Sequence, residues 1–312
     1  MSNLASKPLL KWVGGKSQLL PAVLGTFPEH INDYYEPFVG GGAVLLGLLA
    51  ERAAGRITID GDIYVSDLNP HLINFYKVVQ SEVEPFITAV AALQAAYAAA
   101  PPLAAGATPD RDPADAAAAS SSQEATYYWM RKRFNALPPT ERMGPTAAAL
   151  FYFLNRSCFR GVYREGPRGF NVPFGHYRAT QILDAEHVRA VSAALVGAGV
   201  QFSVSDFSVP LARAGGPQDH VYIDPPYLPV TATSFTGYTA DGFDAVQHEA
   251  LFAAAQAAGA RGATFLLSNA DAPVLATAFP APAYRTLKVS ARRAIHSKDP
   301  GATAMEVLIR NY

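Results

Sequence analysis

The sequence has little cysteine, little charge and no long apolar run. Its 312 residues include one cysteine, Cys158, which excludes an intrachain disulfide and a thiolate metal cluster. Charged residues make up 16% of the chain and hydrophobic residues 50%, a composition typical of a folded globular protein. The longest apolar runs, such as residues 147–154, fall far short of the ~20 residues that span a bilayer.

The first residues do not resemble a secretory signal, because lysines interrupt each short apolar stretch. We therefore expect a cytoplasmic protein that is not bound to a membrane. The four histidines at 176, 187, 220 and 248 are scattered without the spacing of metal ligands. No metal site is expected.

Positive charge is clustered although the formal net charge is only −1. Residues 156–178 contain five arginines and one acid, Glu165. Two smaller basic clusters lie near the two ends: Lys7, Lys11 and Lys16, and Arg292, Arg293 and Lys298. Clusters of this kind are typical of a nucleic-acid-binding face, but they are also typical of solvated loops. Charge alone leaves both interpretations open.

Strand and helix patterns alternate at both ends of the chain, and the middle differs. Strands are predicted at 57–66, 200–204, 220–223, 264–268, 286–290 and 305–311, and helices at 69–79 and 245–258. This pattern favours an open α/β domain interrupted by an inserted module. The predicted catalytic domain is 1–76 plus 181–312, and the predicted insert is 77–180.

The insert combines helical patterns with a low-complexity segment. Residues 127–134 and 145–155 have helical spacing, and the Gly-Pro-Arg-Gly stretch after them is typical of a β-hairpin. Residues 98–122 are rich in Ala, Pro, Asp and Ser. They contain too little apolar surface to offset the entropy of ordering, so we expect a mobile loop there.

A glycine turn follows the first predicted strand. Gly40, Gly41 and Gly42 come after Glu36 and Phe38 and precede an apolar helix, so the backbone can approach a ligand closely. The dinucleotide fingerprint requires glycine at 45, which is leucine. A carboxylate and an aromatic ring before the turn instead suit a ligand with a cationic centre and an aromatic base. Asp67, at the tip of the second strand, can accept hydrogen bonds from ribose or ammonium groups.

The most informative stretch is Asp224-Pro225-Pro226-Tyr227, which ends an apolar strand. The prolines make a stiff turn and leave a carbonyl free to accept a hydrogen bond beside the Asp224 carboxylate. Tyr227 offers a flat face for stacking. Two acceptors beside a stacking ring suit a planar amine such as that of adenine, whose lone pair is delocalised. A purely structural turn is the alternative.

These segments, in this order, resemble the DNA adenine methylase (Dam) family over nearly the whole chain. The matching motifs lie at 11–16, 36–42, 67–69, 170–175, 228–238, 268–269, 290–297 and 306–312. The resemblance implies a Rossmann-like methyltransferase sheet, mostly parallel with an antiparallel closing strand. It also implies that the insert is a mainly helical target-recognition domain carrying a β-hairpin. The implied reaction is transfer of a methyl group from S-adenosylmethionine to the N6 amine of an adenine flipped out of duplex DNA.

The resemblance also implies roles for individual residues. Catalysis would fall to Asp224, Pro225 and Tyr227. The S-adenosylmethionine contacts would be Trp12, Lys16, Glu36, Phe38, Gly40, Gly42, Asp67, Asp206, Phe207 and Asp224. The DNA contacts would be Lys11, Arg160, Val162, Arg164, Pro173 and Arg292.

Many family members act on GATC. Lys11 and Arg164 would donate to guanine, and Val162 and Pro173 would touch the thymine methyl group. The chain departs from the family at Val162, where leucine is usual, and at Arg160, where some relatives have asparagine. These departures concern the target site and leave the methyl chemistry untouched. A monomer acting on double-stranded DNA is expected.

Two alternatives stay open. One is another amino-methyltransferase, acting on RNA or on a protein glutamine amide. Protein-glutamine enzymes usually have asparagine at the position of Asp224 and lack a basic insert, so both features favour DNA. The other is a catalytically silent DNA-binding relative, against which the intact glycine loop and catalytic turn argue.

Overall fold

The computed structural model describes residues 5–177, 181–228, 243–292 and 303–312. The chain divides into two compact units. The first unit consists of residues 1–7, 15–68 and 197–312, and the second of residues 8–14 and 69–196. Each is described by itself below.

Strands and helices are numbered here in chain order. The strands are β1 (His30–Ile31), β2 (Tyr34–Glu36), β3 (Thr58–Ile59), β4 (Ile63–Asp67), β5 (Glu165–Gly166), β6 (Gly169–Phe170), β7 (Gln201–Val204), β8 (His220–Ile223), β9 (Thr264–Ala270), β10 (Arg285–Arg292) and β11 (Thr303–Arg310). The helices are α1 (Leu20–Leu24), α2 (Ala43–Ala53), α3 (Pro70–Ser81), α4 (Val83–Ala99), α5 (Ala116–Ala119), α6 (Gln123–Asn135), α7 (Pro145–Ser157), α8 (Ala185–Gly197), α9 (Ser208–Arg213), α10 (Ala245–Ala260) and α11 (Pro273–Ala278).

The first unit is built on a seven-stranded sheet of order β10-β11-β9-β8-β2-β4-β7. β11 pairs antiparallel with both of its neighbours, and the other pairs are parallel. The prediction of a mostly parallel α/β sheet with an antiparallel closing strand is therefore confirmed. The strand predicted at 57–66 is instead two short strands, β3 and β4, because the chain turns at Gly61, whose N–H donates to the Asn32 carbonyl.

Apolar residues explain why the central strands of this sheet are buried. All four residues of β8 are buried, as are six of the seven in β9, which is expected of mainly apolar strands covered on both faces. His220, Ser268 and Asn269 are the buried polar residues of these two strands. Leu251 and Phe252 of α10 join Val221 and Phe265 in the core of the unit. A capping box at Asp244 begins α10. Within the described ranges, no helix is long and apolar enough to cross a membrane.

The second unit is mainly helical. Helices α3, α4 and α6 all pack on α7, whose apolar residues are buried along nearly its whole length. The predicted hairpin is confirmed as the antiparallel pair β5–β6. Asn135 of α6 holds this hairpin, because its side chain bonds both the N–H and the carbonyl of Phe170 at 2.9 Å.

The second unit extends beyond the predicted insert of 77–180. It begins at Asn69, because α3 packs with the helices of this unit, and it runs to Val196. It also includes residues 8–14. Its assignment as a target-recognition domain stays a prediction.

The segment 98–122 has more regular structure than predicted. α4 continues to Ala99, and α5 forms a single turn whose start is capped by Asp115, which accepts from the N–H of Ala118 at 2.8 Å. Ser122 is buried and caps α6. Capping of helix ends by Asp115 and Ser122 thus orders parts of this segment, whose low apolar content alone predicts a mobile loop.

Candidate active site

The glycine turn and the Asp-Pro-Pro-Tyr turn follow neighbouring strands, β2 and β8. The strand order reverses between these two, since the chain runs outward from β2 to β4 and β7 and later returns to β8. In open α/β sheets, ligands bind at such a switch point, outside the carboxyl ends of the strands. Glu36 ends β2 and Asp224 follows β8, so both carboxylates lie at this edge of the sheet.

Lys16 holds one of the two carboxylate oxygens of Asp224. The Lys16 ammonium lies 2.9 Å from Oδ2, and the two side chains are 5% and 17% exposed, respectively. Oδ1 is buried and has no hydrogen-bond partner among the described residues. Burial raises the pKa of Asp224 to about 6, and the charge of Lys16 opposes this rise. The carboxylate is therefore held ionised near neutral pH with one acceptor oxygen unused.

Glu36 is a second buried carboxyl group on the same edge. Its Oε2 accepts a 2.8 Å hydrogen bond from the hydroxyl of Tyr34. Burial raises the pKa of Glu36 to about 8; the hydrogen bond from Tyr34 opposes the rise and the charge of Asp224 adds to it. A buried carboxyl in this state is stabilised as an anion when a cationic ligand binds beside it.

The glycine turn is fixed by Asp67 and by its own backbone geometry. Gly40 and Gly42 have φ of 47° and 74°, a region that favours glycine. The N–H of Gly40 donates to Asp67 Oδ2 at 3.2 Å. Asp67, predicted to contact the cofactor, is thus also the residue that orients the turn.

Three phenylalanines lie together near this turn. Phe38 and Phe207 are stacked, with ring centroids 5.9 Å apart and planes at 24°. Phe243 meets both edge-on, at 5.9 Å from each. The predicted pair Phe38 and Phe207 is therefore brought together, and Phe243 was missed by the sequence analysis. Asp206 precedes α9 and accepts from the N–H of Ser208, the first residue of that helix, at 2.9 Å.

Four side chains hold the catalytic turn. Besides Lys16 at Asp224, His248 Nε2 lies 3.0 Å from the Pro226 carbonyl, Glu306 accepts from the Tyr227 hydroxyl at 2.7 Å, and Asn269 accepts from the N–H of Leu228 at 3.0 Å. These contacts are all within the first unit. No hydrogen bond reaches the carbonyl of Pro225 from the described parts of the chain.

His248, Asn269 and Glu306 were not predicted from the sequence to have a role at the turn. His248 was set aside as one of the scattered histidines, and it is in fact buried against the turn. Asn269 and Glu306 stood only inside motifs matched to the family. A sequence pattern could have indicated Asn269 and Glu306. Asn269 is an amide near the carboxyl end of β9, and Glu306 is an acid opposite that end on β11.

Most of the predicted DNA contacts lie in one region of the second unit. Lys11 and Gly161 are in close contact, since a Cβ atom at Gly161 would lie 2.3 Å from the Lys11 Cβ. Asn155 bonds both the N–H and the carbonyl of Lys11. The Lys11 ammonium lies 3.8 Å from the centre of the Tyr177 ring. Burial and the charge of Arg156 lower the pKa of Lys11.

The segments on either side of the β5–β6 hairpin carry the other predicted DNA contacts of the second unit. Arg160, Arg164 and Pro173 are exposed and Val162 is half-buried. Arg164 Nε donates to Asn171 Oδ1 at 2.6 Å. Phe159, not selected from the sequence, is 47% exposed, and the guanidinium of Arg160 lies 5.1 Å from its ring.

Two predicted residues stand apart. Trp12 belongs to the second unit and stacks on Tyr163, with centroids 6.0 Å apart and planes at 21°. Arg292 ends β10 in the first unit, and its side chain lies outside the described residues. The motifs at 228–238 and 290–297 also fall largely outside them. No cluster of three possible metal ligands is found in the described part of the chain.

Comparison with known proteins agrees with this geometry. Residues 12–295 match the model of the D12 class N6 adenine-specific DNA methyltransferases. The chain belongs to this family.

Named relatives of this D12 class methyltransferase cover most of its length. It is 32% identical to the type II methyltransferase M.MjaIII of Methanocaldococcus jannaschii over 84% of each chain. It is 32% identical to the DNA adenine methylase of Haemophilus influenzae over 80% of this chain and 74% of that one. It is 29% identical to the type II methyltransferase M1.LlaDCHI of Lactococcus lactis over 98% of this chain and 95% of that one.

Proposed function

We propose that the protein transfers the methyl group of S-adenosylmethionine to the N6 amine of an adenine flipped out of duplex DNA. The observation that carries this proposal is the Oδ1 of Asp224, which is buried and has no hydrogen-bond partner among the described residues, next to an Oδ2 that Lys16 already holds. An unused buried acceptor is costly. A bound N–H donor would remove that cost, and the exocyclic amine of adenine supplies one.

The turn provides what an adenine amine needs for attack. The amine is a poor nucleophile because its lone pair is delocalised into the ring. One N–H on Asp224 Oδ1 and the other on the Pro225 carbonyl would favour the pyramidal geometry that frees the lone pair. Tyr227 would stack on the ring, and catalysis would come from alignment in a preorganised polar pocket.

Ionised Asp224 also suits the loss of a proton from nitrogen. After methyl transfer N6 would carry one proton too many, and Asp224 Oδ1 would be the acceptor for it. A carboxyl with a pKa of about 6 is ionised at neutral pH and takes up a proton more readily than an ordinary aspartate. Until it takes up this proton, the Asp224 carboxylate is stabilised in its charged form by Lys16.

The residues at the edge of the sheet fit S-adenosylmethionine. The cofactor supplies an electrophilic methyl group on a sulfonium centre. Glu36 would face the cationic part of the molecule, and Phe38 and Phe207 would hold its adenine. Gly40 and Gly42 would let the backbone come close. Asp67 and Asp206 would also contact the cofactor at this edge. The contact assigned to Trp12 stays a prediction.

Recognition of the DNA target is assigned to the second unit. Exposed Arg164 has donors for a guanine edge, and Lys11 lies in the same unit. Val162 and Pro173 would contact thymine methyl groups, which would give GATC as the target. Arg160 and Arg292 would contribute further DNA contacts.

A methyl-transfer assay tests the proposal. Purified protein is incubated with tritiated S-adenosylmethionine and one of four acceptors. These are duplex DNA that contains GATC, duplex DNA that lacks it, RNA, and protein. We expect label in adenine of GATC-containing duplex, and label confined to RNA or protein would refute the DNA assignment. Asp224→Ala should abolish transfer while DNA binding survives. Asp60→Asn, at an exposed aspartate, is the matched control and should keep full activity.

A further inference from the structure

The Tyr227 ring is held at its hydroxyl by a residue from a distant strand. Its OH donates to Glu306 Oε2 at 2.7 Å. Glu306 lies on β11, opposite Ala270 of β9. Because β11 is paired along both of its edges, with β9 and with β10, the backbone that carries Glu306 is fixed on both sides.

The ring is also held at its face. The Lys16 ammonium lies 4.7 Å from the centre of the Tyr227 ring, within the range of a cation–π contact. Tyr227 otherwise follows two prolines at the end of a strand and leads out of the turn. The hydrogen bond to Glu306 holds the ring at its far end.

We propose that Glu306 is a positioning residue for the target base. It acts through the Tyr227 hydroxyl and holds the ring in the plane in which it stacks on the extruded adenine. This inference rests on the proposed function. It adds a residue that does not contact the substrate and that acts through the tyrosine hydroxyl.

The chemistry of the pair makes the proposal specific. A hydroxyl that donates to a carboxylate forms a charge-assisted hydrogen bond, stronger than a neutral one. Glutamine at 306 keeps an acceptor for the hydroxyl but loses the charge. Alanine removes the acceptor, and phenylalanine at 227 removes the donor while keeping the stacking ring.

The test is a double-mutant cycle with Glu306→Ala, Tyr227→Phe and the double variant, using tritiated donor and GATC duplex. We expect each single change to lower kcat about tenfold, the effect of losing one such hydrogen bond. The double variant should be no slower than either single one. The Kd for DNA should stay within about twofold of the wild type, because DNA binding precedes contact of the base with the ring. Glu306→Gln should recover part of the rate.

Controls separate positioning from folding and from charge. Glu29→Ala removes an exposed glutamate elsewhere in the first unit and should leave kcat unchanged. If Glu306→Ala melts below the assay temperature, the cycle is run with Glu306→Gln and Tyr227→Phe, and it then measures the part of the coupling that depends on the charge of the acceptor. The charge of Glu306 also raises the pKa of Asp224. If Glu306→Ala lowers kcat by the same factor in the Tyr227→Phe background as in the wild type, Glu306 acts through its charge on Asp224. That result would overturn the proposal.

Two failures are distinguishable. A wild-type protein that labels no DNA would defeat the proposed function itself. Additive effects of the two substitutions, or a Glu306→Ala variant with wild-type kcat, in a protein that does label DNA would defeat only the role of Glu306.

Discussion

Replacing Lys16 with glutamine should make the enzyme require a higher pH. Lys16 donates to Asp224 Oδ2 at 2.9 Å and opposes the rise that burial causes in the pKa of Asp224, which stands at about 6. An acid with a raised pKa is ionised only above that pKa, so wild-type activity should fall as the pH drops through about 6. Without the ammonium, the charged form loses its partner and the pKa rises further.

The structure sets the size of this effect. A hydrogen bond to a charged group contributes about 1.5–3 kcal/mol, and one pKa unit corresponds to about 1.36 kcal/mol. Loss of the contact should therefore move the acid limb of activity upward by about one to two units. Because Asp224 is 17% exposed, solvent partly screens the pair and reduces its Coulomb energy.

The assay is kcat/KM for GATC duplex as a function of pH, at saturating S-adenosylmethionine. This ratio reports the ionisation of the enzyme before it binds DNA. Lys288→Gln is the matched control, because Lys288 forms an exposed ion pair with Asp271 on the same unit. Its profile should coincide with that of the wild type. An acid limb in Lys16→Gln at the wild-type position would refute the role given to Lys16.

Three further predictions concern other parts of the molecule. Binding of S-adenosylmethionine at pH 7 should release a proton, because burial raises the pKa of Glu36 to about 8 and a cationic ligand lowers it again. Calorimetry in buffers of different ionisation enthalpy should detect this proton, and its presence in Glu36→Gln would contradict the assignment. Arg164→Ala should reduce discrimination at one base pair by about 1–3 kcal/mol. An equal loss of affinity for every duplex would instead make Arg164 a phosphate contact. Gly161→Ala should destabilise the protein by about 2 kcal/mol or more in denaturant unfolding, from a strained φ of 67° plus a clash with Lys11. Gly55→Ala has a similar φ of 71° and open space around it, so equal losses in the two variants would exclude the clash.

The sequence predicted the parts of the site that follow from local patterns. Strand ends carrying Glu36, Asp67 and Asp224 could be predicted, because carboxyl ends of parallel strands meet at one edge. The antiparallel closing strand was also predicted. Contacts set by sheet register, such as Glu306 with Tyr227, were not, since register depends on pairing that single-chain patterns do not specify.

Capping and packing account for most of the remaining differences. The prediction of a single strand at 57–66 did not include the turn at Gly61. The prediction of a loop at 98–122 did not include the helix caps formed by Asp115 and Ser122. The role of His248 could not be inferred from spacing, because its partner is a backbone carbonyl at Pro226 rather than another side chain.

The origin of the groups around Tyr227 has a consequence for how the protein folds. Lys16 comes from the first tenth of the chain and Glu306 from its last tenth. Contacts between such distant segments require the closure of very long loops, which form late and slowly. The reactive turn is thus complete only once β11, which carries Glu306, has paired in the sheet. A chain in which this last strand had not paired would lack the group that holds the Tyr227 hydroxyl.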